Sequence, residues 1–380
     1  MTEIFEYVAT CLFGLEHFVC EEIDALGYER TEVIDGRVTF RGDISAIARC
    51  NLWLRTAERL YLKLGSFSAA TFDELFEGTR ALPWESWIGK DDCFPVKGHA
   101  IKSRLFSLPD CQRIVKKAVA ERLKGAYGIS WFPEEGVTYQ IEFFILKDKA
   151  TLMIDTSGSP LHKRGYRKSA GEAPLRETLA CAMVKISRPR EEVLLWDPFC
   201  GSGTIPIEAA LLMTNTAPGL YRSFAAEAFY DIPPKLFDEA RGEAREMRKL
   251  NTAFEAFASD IDSRMCAIAL ENIKRAGVGQ YVKVFCRDAL TLETGGRRGT
   301  IVCNPPYGER LSDTVQTERL YREMGQAFSK LDRWQIYILC ESETFERLYG
   351  RRADKVRRLY NGMLRCRYYQ FFRQPGSGVR

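Results

Sequence analysis

Near residue 300 the chain reads Thr300-Ile301-Val302-Cys303-Asn304-Pro305-Pro306-Tyr307-Gly308. Each proline ring locks φ, so an apolar strand that leaves through Asn-Pro-Pro has a rigid exit. The amide oxygen of Asn304 and the carbonyl of Pro305 can then face one point and accept the hydrogens of an amino group. The nitrogen lone pair is left aimed at an electrophilic methyl, and in-line transfer depends mainly on positioning, with no metal and no nucleophilic intermediate. Tyr307 offers a face for a base drawn out of its helix. Asn304, Pro305, Pro306 and Tyr307 are the candidate catalytic group.

Upstream, Leu194-Leu195-Trp196-Asp197-Pro198-Phe199-Cys200-Gly201-Ser202-Gly203-Thr204 is an apolar strand ending in an acid and a Gly-x-Gly turn that opens a helix. Glycines let backbone approach a ligand at the carboxyl edge of an α/β sheet. The dinucleotide fingerprint needs a third glycine where Pro206 stands, and no Gly-Lys-Ser/Thr follows for a Walker loop. Asp197 would repel a phosphate and suits a ligand carrying an ammonium group. Two more strand-like runs close on acids, Phe257-Ala258-Ser259-Asp260 and Val282 to Asp288. A carboxylate at Asp260 can accept both ribose hydroxyls, and one at Asp288 can accept from an adenine amino group. Each acid alone reads as a cap or turn residue. Three in succession point to an adenosine ligand with a positive end.

These residues need a sheet to carry them. From Val193 onward the pattern is strand, Gly-rich turn, helix, strand, helix, strand, strand, helix, strand, the order of an α/β sheet with covering helices. Before Ser157-Gly158-Ser159-Pro160, which reads as a linker, the first 155 residues are α+β. Strands are expected at Ile4–Thr10, Thr31–Ile34, Arg37–Phe40 and Arg59–Leu64, then Phe94–Ile101, Thr138–Leu146 and Ala150–Thr156. Helices are expected at Leu15–Leu26, Ile44–Leu54 and Cys111–Gly125. In the last of these Ile114, Val115, Ala118, Val119 and Leu123 share one face, and Arg113, Lys116, Lys117, Arg122 and Lys124 ride the other. Residues 214–250 read as a turn-rich insertion with a charged helix from Pro234 to Leu250.

The 380 residues are 46% hydrophobic, enough for a substantial core in two domains or in a large one with an appendage, which argues against a disordered or fibrous chain. No apolar run reaches the ~20 residues needed to cross a bilayer and no signal segment opens the chain, so a cytoplasmic protein is expected. Twelve scattered cysteines without Cys-x-x-Cys spacing, and three distant histidines, read as reduced thiols and no metal site. The net charge of +4 is unevenly spread: residues 97–124 and 156–190 each hold eight Lys/Arg against two acids, and residues 347–380 ten against one. Such segregation suits a polyanion touching separate segments. Lys102, Arg104, Arg113, Lys116 and Lys117 in the front half are candidate phosphate contacts. Lys163, Arg164, Tyr166, Arg167 and Lys168 in the linker are further candidates, holding phosphates near an extruded base.

Asp197 to Thr204 with Asn304 to Tyr307 resemble the two signature motifs of the S-adenosylmethionine-dependent amino-methyltransferases. Within them, Leu161-His162-Lys163-Arg164-Gly165-Tyr166-Arg167, Ala173 to Ala180 and Leu359-Tyr360-Asn361-Gly362 resemble the THUMP-domain guanine-N2 RNA methyltransferases of the large-subunit rRNA type. The likeness is sharp over residues 160–365 and rests on element order before 155. It implies an α/β fold, with a C-terminal Rossmann-like seven-stranded methyltransferase domain preceded by an α+β ferredoxin-like plus THUMP RNA-binding region. The expected divisions are 1–65 ferredoxin-like, 66–156 THUMP-type, 157–190 linker and cofactor-covering segment, and 191–380 methyltransferase. The resemblance also implies that Asp197, Phe199, Cys200, Gly201, Gly203 and Thr204 line the cofactor's methionine end. Asp260, Ile261, Asp288 and Ala289 would meet its nucleoside, and Leu175 to Thr178 would cover it. The expected reaction is methylation of a guanine N2 amine in 23S rRNA. A tRNA guanine enzyme, an adenine-N6 DNA methyltransferase and a non-catalytic assembly factor that binds RNA stay open as alternatives.

Overall fold

The computed structural model describes residues 3–167, 175–306 and 314–372. The chain forms two compact units, one of Met1–Cys11, Val19–Leu161 and Arg222–Glu243, the other of Leu12–Phe18, His162–Tyr221 and Ala244–Arg380.

The first unit is built on β1 (Phe5–Cys11), α1 (Glu16–Ala25), β2 (Glu29–Ile34), β3 (Arg37–Gly42), α2 (Ser45–Trp53), β4 (Ala57–Ser68), α3 (Phe72–Arg80), β5 (Val96–Ile101), α4 (Leu108–Tyr127), β6 (Ile141–Leu146) and β7 (Lys149–Asp155). Its strands join in one seven-stranded sheet, ordered β2-β3-β1-β4-β7-β6-β5. The 12-residue β4 spans both halves, pairing with β1 along one stretch and with β7 along the other. The expected division at residue 65 falls inside this strand, because Leu64 does not end it. The register shifts between Lys63 and Gly65, and a side chain at Gly65 would meet Leu82 Cδ2 at 2.6 Å. A glycine at a bulge carries the strand on. Helix α3 is absent from the sequence-based expectation although its start signal is present: Thr71 and Glu74 form a reciprocal capping box.

The insertion belongs to this unit over residues 222–243. Phe224, Phe229 and Phe237 are buried, and the Phe229 ring stacks on Tyr139 with centroids 4.2 Å apart. Ala226 N–H donates to the Thr156 carbonyl at 3.0 Å, and Arg222 donates to the carbonyls of Ser159 and Pro160 at 2.6 and 2.7 Å.

The second unit runs through α5 (Glu177–Ser187), β8 (Leu194–Asp197) and α6 (Thr204–Met213), and resumes after α7 (Lys235–Glu246), most of which belongs to the first unit. It continues with β9 (Ala256–Asp260), α8 (Ser263–Arg275), β10 (Val282–Cys286), β11 (Gly299–Cys303), α9 (Thr314–Phe328), β12 (Trp334–Cys340), α10 (Phe345–Tyr349), β13 (Lys355–Asn361) and β14 (Leu364–Phe371). The sheet order is β10-β9-β8-β11-β12-β14-β13, with β14 antiparallel to both neighbours and the other strands parallel. This is the expected seven-stranded Rossmann-like sheet. Trp196, Ile301, Tyr321, Phe328, Ile336 and Phe345 fill a core on one of its faces. At full burial such side chains stabilise by ~1.5 to 3 kcal/mol each.

All twelve cysteines are free thiols. Among the described residues no helix is long and apolar enough to cross a membrane, and no group of three or more His, Cys, Asp or Glu could hold a metal ion.

Candidate active site

Four neighbouring parallel strands end at the same edge of the second unit's sheet, and each delivers one of the singled-out groups. Strand β8 ends in Asp197, β9 in Asp260, β10 runs out toward Asp288, and β11 leads into Asn304. The ladder pairs Asp197 with Ala258 and Asp260 with Cys286, so the acids are staggered along this carboxyl edge. Ligands of open α/β sheets bind at such an edge.

The turn after β8 is fixed by its own glycines and by β9. Gly201 and Gly203 have φ of +51° and +82°, a region other residues enter with strain. The Cys200 amide donates to the Ser259 carbonyl at 2.9 Å, and the Gly201 amide to Asp260 Oδ2 at 3.0 Å. Asn272 of α8 donates to the Ser202 carbonyl at 3.0 Å. The Gly-x-Gly turn is thereby held open against the end of β9.

Asp197 is 1% exposed, and one of its oxygens accepts from the Phe199 amide at 3.1 Å. Burial pushes its carboxyl well above the usual carboxylate range, the Phe199 amide pulls against this, and nearby Asp260 adds a smaller push upward. A buried acid of this kind ionises readily only when a cation arrives. Asp260 receives the Asp262 amide on its other oxygen at 3.0 Å, and Asp288 caps the short 3-10 turn Ala289–Thr291 by accepting from the Leu290 amide at 2.9 Å. The cap role that these acids could have had alone is present, alongside their position at the sheet edge. Ile261 is 72% exposed although apolar, and follows Asp260 directly. Leu175, Thr178, Cys200, Thr204 and Ala289 are buried, and Phe199 half-buried.

Asn304 Oδ1 is buried and has no hydrogen-bond partner among the described residues. Pro305 is buried and Pro306 half-buried beside it. Tyr307 lies outside the described residues, as does Lys168. An unmet buried acceptor costs ~1 to 3 kcal/mol, which leaves Asn304 Oδ1 prepared for a donor that the described residues do not supply.

The linker residues require a correction. Arg164 and Tyr166 are 4% and 6% exposed, turned into the unit where Glu208 of α6 accepts from Tyr166 at 3.1 Å and from Arg164 at 3.5 Å. Arg167 donates to Thr204 Oγ1 at 2.5 Å and to the Leu175 carbonyl at 3.2 Å. Their charge is matched inside the protein, so these three are not surface contacts for phosphate; Lys163 alone of the described group is exposed. Of the front-half candidates, Lys102, Arg104, Arg113 and Lys117 are exposed, although Arg113 pairs with Asp110 and Arg104 stands 3.6 Å from Asp148. Lys116 is half-buried and bonded to Glu134 at 2.8 Å. The missed residue is Glu208. Its signal was a single acid inside Thr204-Ile205-Pro206-Ile207-Glu208-Ala209-Ala210-Leu211, an otherwise apolar helix face all round, which demands a buried partner.

Comparison with known proteins identifies the domains. Residues 164–370 match the RMKL-like methyltransferase domain, residues 6–61 the RlmL ferredoxin-like domain and residues 69–155 the THUMP domain. The Bacillus subtilis protein named "Putative RNA methyltransferase YpsC" is 47% identical over 96% of this chain and 95% of its own length. The ribosomal RNA large subunit methyltransferase K/L of Aliivibrio salmonicida is 34% identical over 95% of this chain. The chain spans about half the length of that protein (52%). The solved structure of SMU.472, described as a "putative methyltransferase complexed with SAH", superposes with a TM-score of 0.92 at 40% identity, covering 99% of this chain and all of that one.

Proposed function

We propose that this chain, which belongs to the RMKL-like methyltransferase family and uses S-adenosylmethionine, methylates the exocyclic N2 amine of a guanine in RNA, with large-subunit ribosomal RNA as substrate. When bound, the cofactor supplies an electrophilic methyl group. The protein's own residues do the rest by position. Asp197, Gly201, Gly203 and Thr204 fit its methionine end, because a dry carboxyl awaits a cation and the glycine turn leaves room for a backbone approach. Asp260 and Asp288 offer carboxylate oxygens to the nucleoside, and exposed Ile261 offers an apolar surface beside them.

The observation that carries the reading is the amide oxygen of Asn304, buried without a partner among the described residues. An aromatic amine is a weak nucleophile because its lone pair is delocalised into the ring. As the methyl arrives, the nitrogen gains positive charge and its N–H groups become stronger donors. An acceptor fixed at Asn304, with the Pro305 carbonyl beside it, binds that state more tightly than the ground state, which lowers the barrier. Extruding the base costs a few kcal/mol of stacking, and Tyr307 is assigned to recover part of it.

RNA is favoured over DNA by the THUMP domain and by the exposed Lys102, Arg104, Arg113 and Lys117 of the front unit, which suit phosphate contacts. The names of the K/L relatives support the ribosomal substrate. Transcripts in which inosine replaces guanosine test the atom directly, since inosine lacks only the 2-amino group. Methyl acceptance should vanish in them, and undiminished acceptance would exclude N2.

A further inference from the structure

Around α6 lies a cluster of buried charge that the reaction does not use. Arg164 faces Glu208 at 3.5 Å, with their side chains 2% and 0% exposed, and Tyr166 donates to the same carboxylate. Beside it Arg167 faces Glu177, the first residue of α5, at 3.4 Å, with side chains 13% and 4% exposed. Two arginines and two glutamates balance, so the cluster holds no surplus charge for a phosphate. Arg167 is its hub. Its guanidinium reaches the Thr204 hydroxyl at 2.5 Å, the Leu175 carbonyl at 3.2 Å and the Glu177 carboxylate. Thr204 opens α6 directly behind the Gly-x-Gly turn and shares its hydroxyl with Ser202 Oγ at 3.3 Å. One guanidinium nitrogen, Nη2, makes all three contacts and so touches the turn and the start of α5 together, whereas a lysine would place its charge one bond nearer the backbone, short of that point.

Arg167 Nε and Glu177 Oε2 are buried without a partner among the described residues. Burial also holds the Glu177 carboxyl above its ordinary range, opposed chiefly by Arg167. A pair with unmet atoms is expensive to bury and gains most from a neighbour that completes it.

We propose that Arg167, with Glu177, is a positioning residue that braces Thr204 and the backbone at Leu175 into one cofactor-ready arrangement, so that the linker sets S-adenosylmethionine affinity rather than RNA affinity. The inference rests on the assignment of Thr204 and Leu175–Thr178 to the cofactor.

Calorimetric binding of S-adenosylhomocysteine to the full chain, its Arg167→Lys and Glu177→Gln variants and the double variant tests it, together with binding of protein-free large-subunit ribosomal RNA across a salt series. Arg167→Lys should weaken cofactor-product binding about tenfold or more, the scale of a lost charged hydrogen bond. Glu177→Gln keeps the side chain's shape and should weaken it less. The double variant should be no weaker than Arg167→Lys alone, because both changes break one unit. RNA affinity and its salt slope should stay at the wild-type values. Wild-type product affinity in Arg167→Lys, or losses that simply add, would overturn the proposal. So would reduced RNA affinity with a shallower salt slope, which would return Arg167 to phosphate binding. Failure of the unaltered chain to bind the product would instead remove the cofactor assignment, and this inference with it.

Discussion

Replacing Asn304 by alanine separates chemistry from stability in one variant. In most buried asparagines the change breaks hydrogen bonds and destabilises the fold. Here the side-chain oxygen accepts nothing among the described residues, so its removal relieves an unmet acceptor that costs ~1 to 3 kcal/mol. Against that gain stands the small cavity left by the amide, of the order of 1 kcal/mol. The two offset, and the melting temperature should stay within about 4 °C of the wild type. Turnover should behave differently, because the contact strengthens as the amine gains charge. Loss of one such pre-placed group typically lowers kcat by ~10² to 10³, or ~2.7 to 4 kcal/mol of barrier. Steady-state kinetics on the RNA substrate should show kcat and kcat/KM falling together, the mark of an interaction made in the transition state. Product affinity by calorimetry should be unchanged. Wild-type turnover would refute the role of Asn304. A melting temperature lowered by more than about 10 °C would show that the amide holds the fold instead.

Three further outcomes follow from other parts of the structure. Asp197 has its pKa raised by burial, so its contribution to stability is complete below the ordinary carboxylate range and is lost as pH rises through the raised value. Asp197→Asn should therefore be more stable than the wild type at neutral pH in thermal melts, and the proton that the wild type releases on binding the cofactor product should be missing from its calorimetry. Gly325 of α9 packs so closely on α10 that a β-carbon would meet the Tyr349 carbonyl oxygen at 1.9 Å. Gly325→Ala should cost about 1 to 3 kcal/mol or more in denaturant unfolding, and a neutral result would refute that contact. Lys102 and Lys117 are exposed in the front unit, and reversing both to glutamate should weaken RNA binding and flatten its salt dependence while leaving product affinity unchanged.

The carboxyl edge of the sheet that carries the candidate site was legible because its signals are local. Apolar strands end in Asp197, Asp260 and Asn304, and glycine or proline marks the exits of the first and last of these at 201, 203, 305 and 306. The seven-stranded Rossmann-like architecture came from the resemblance, while the pairing order and the antiparallel β14 are seen only in the structure, since no residue pattern states which strands neighbour one another. The linker arginines were misread because charge in a sequence carries no information on burial. Arg164 and Arg167 look like any basic linker until Glu208 and Glu177, 44 and 10 residues further along, are brought against them. The insertion was opaque for the same reason. Its aromatic residues at 224, 229 and 237 find Tyr139 and the first unit only in three dimensions. Helix α3 could have been found, since Thr71 and Glu74 carry the capping signal at the required spacing.

The most direct test is to incubate the purified chain and labelled S-adenosylmethionine with protein-free ribosomal RNA, unmodified transfer RNA and unmethylated DNA in separate reactions, then to identify the labelled nucleoside by mass spectrometry. The expected product is N2-methylguanosine in large-subunit ribosomal RNA. N6-methyladenine in DNA, or a methylated nucleoside other than N2-methylguanosine in RNA, would contradict the assignment of the Asn304 pocket.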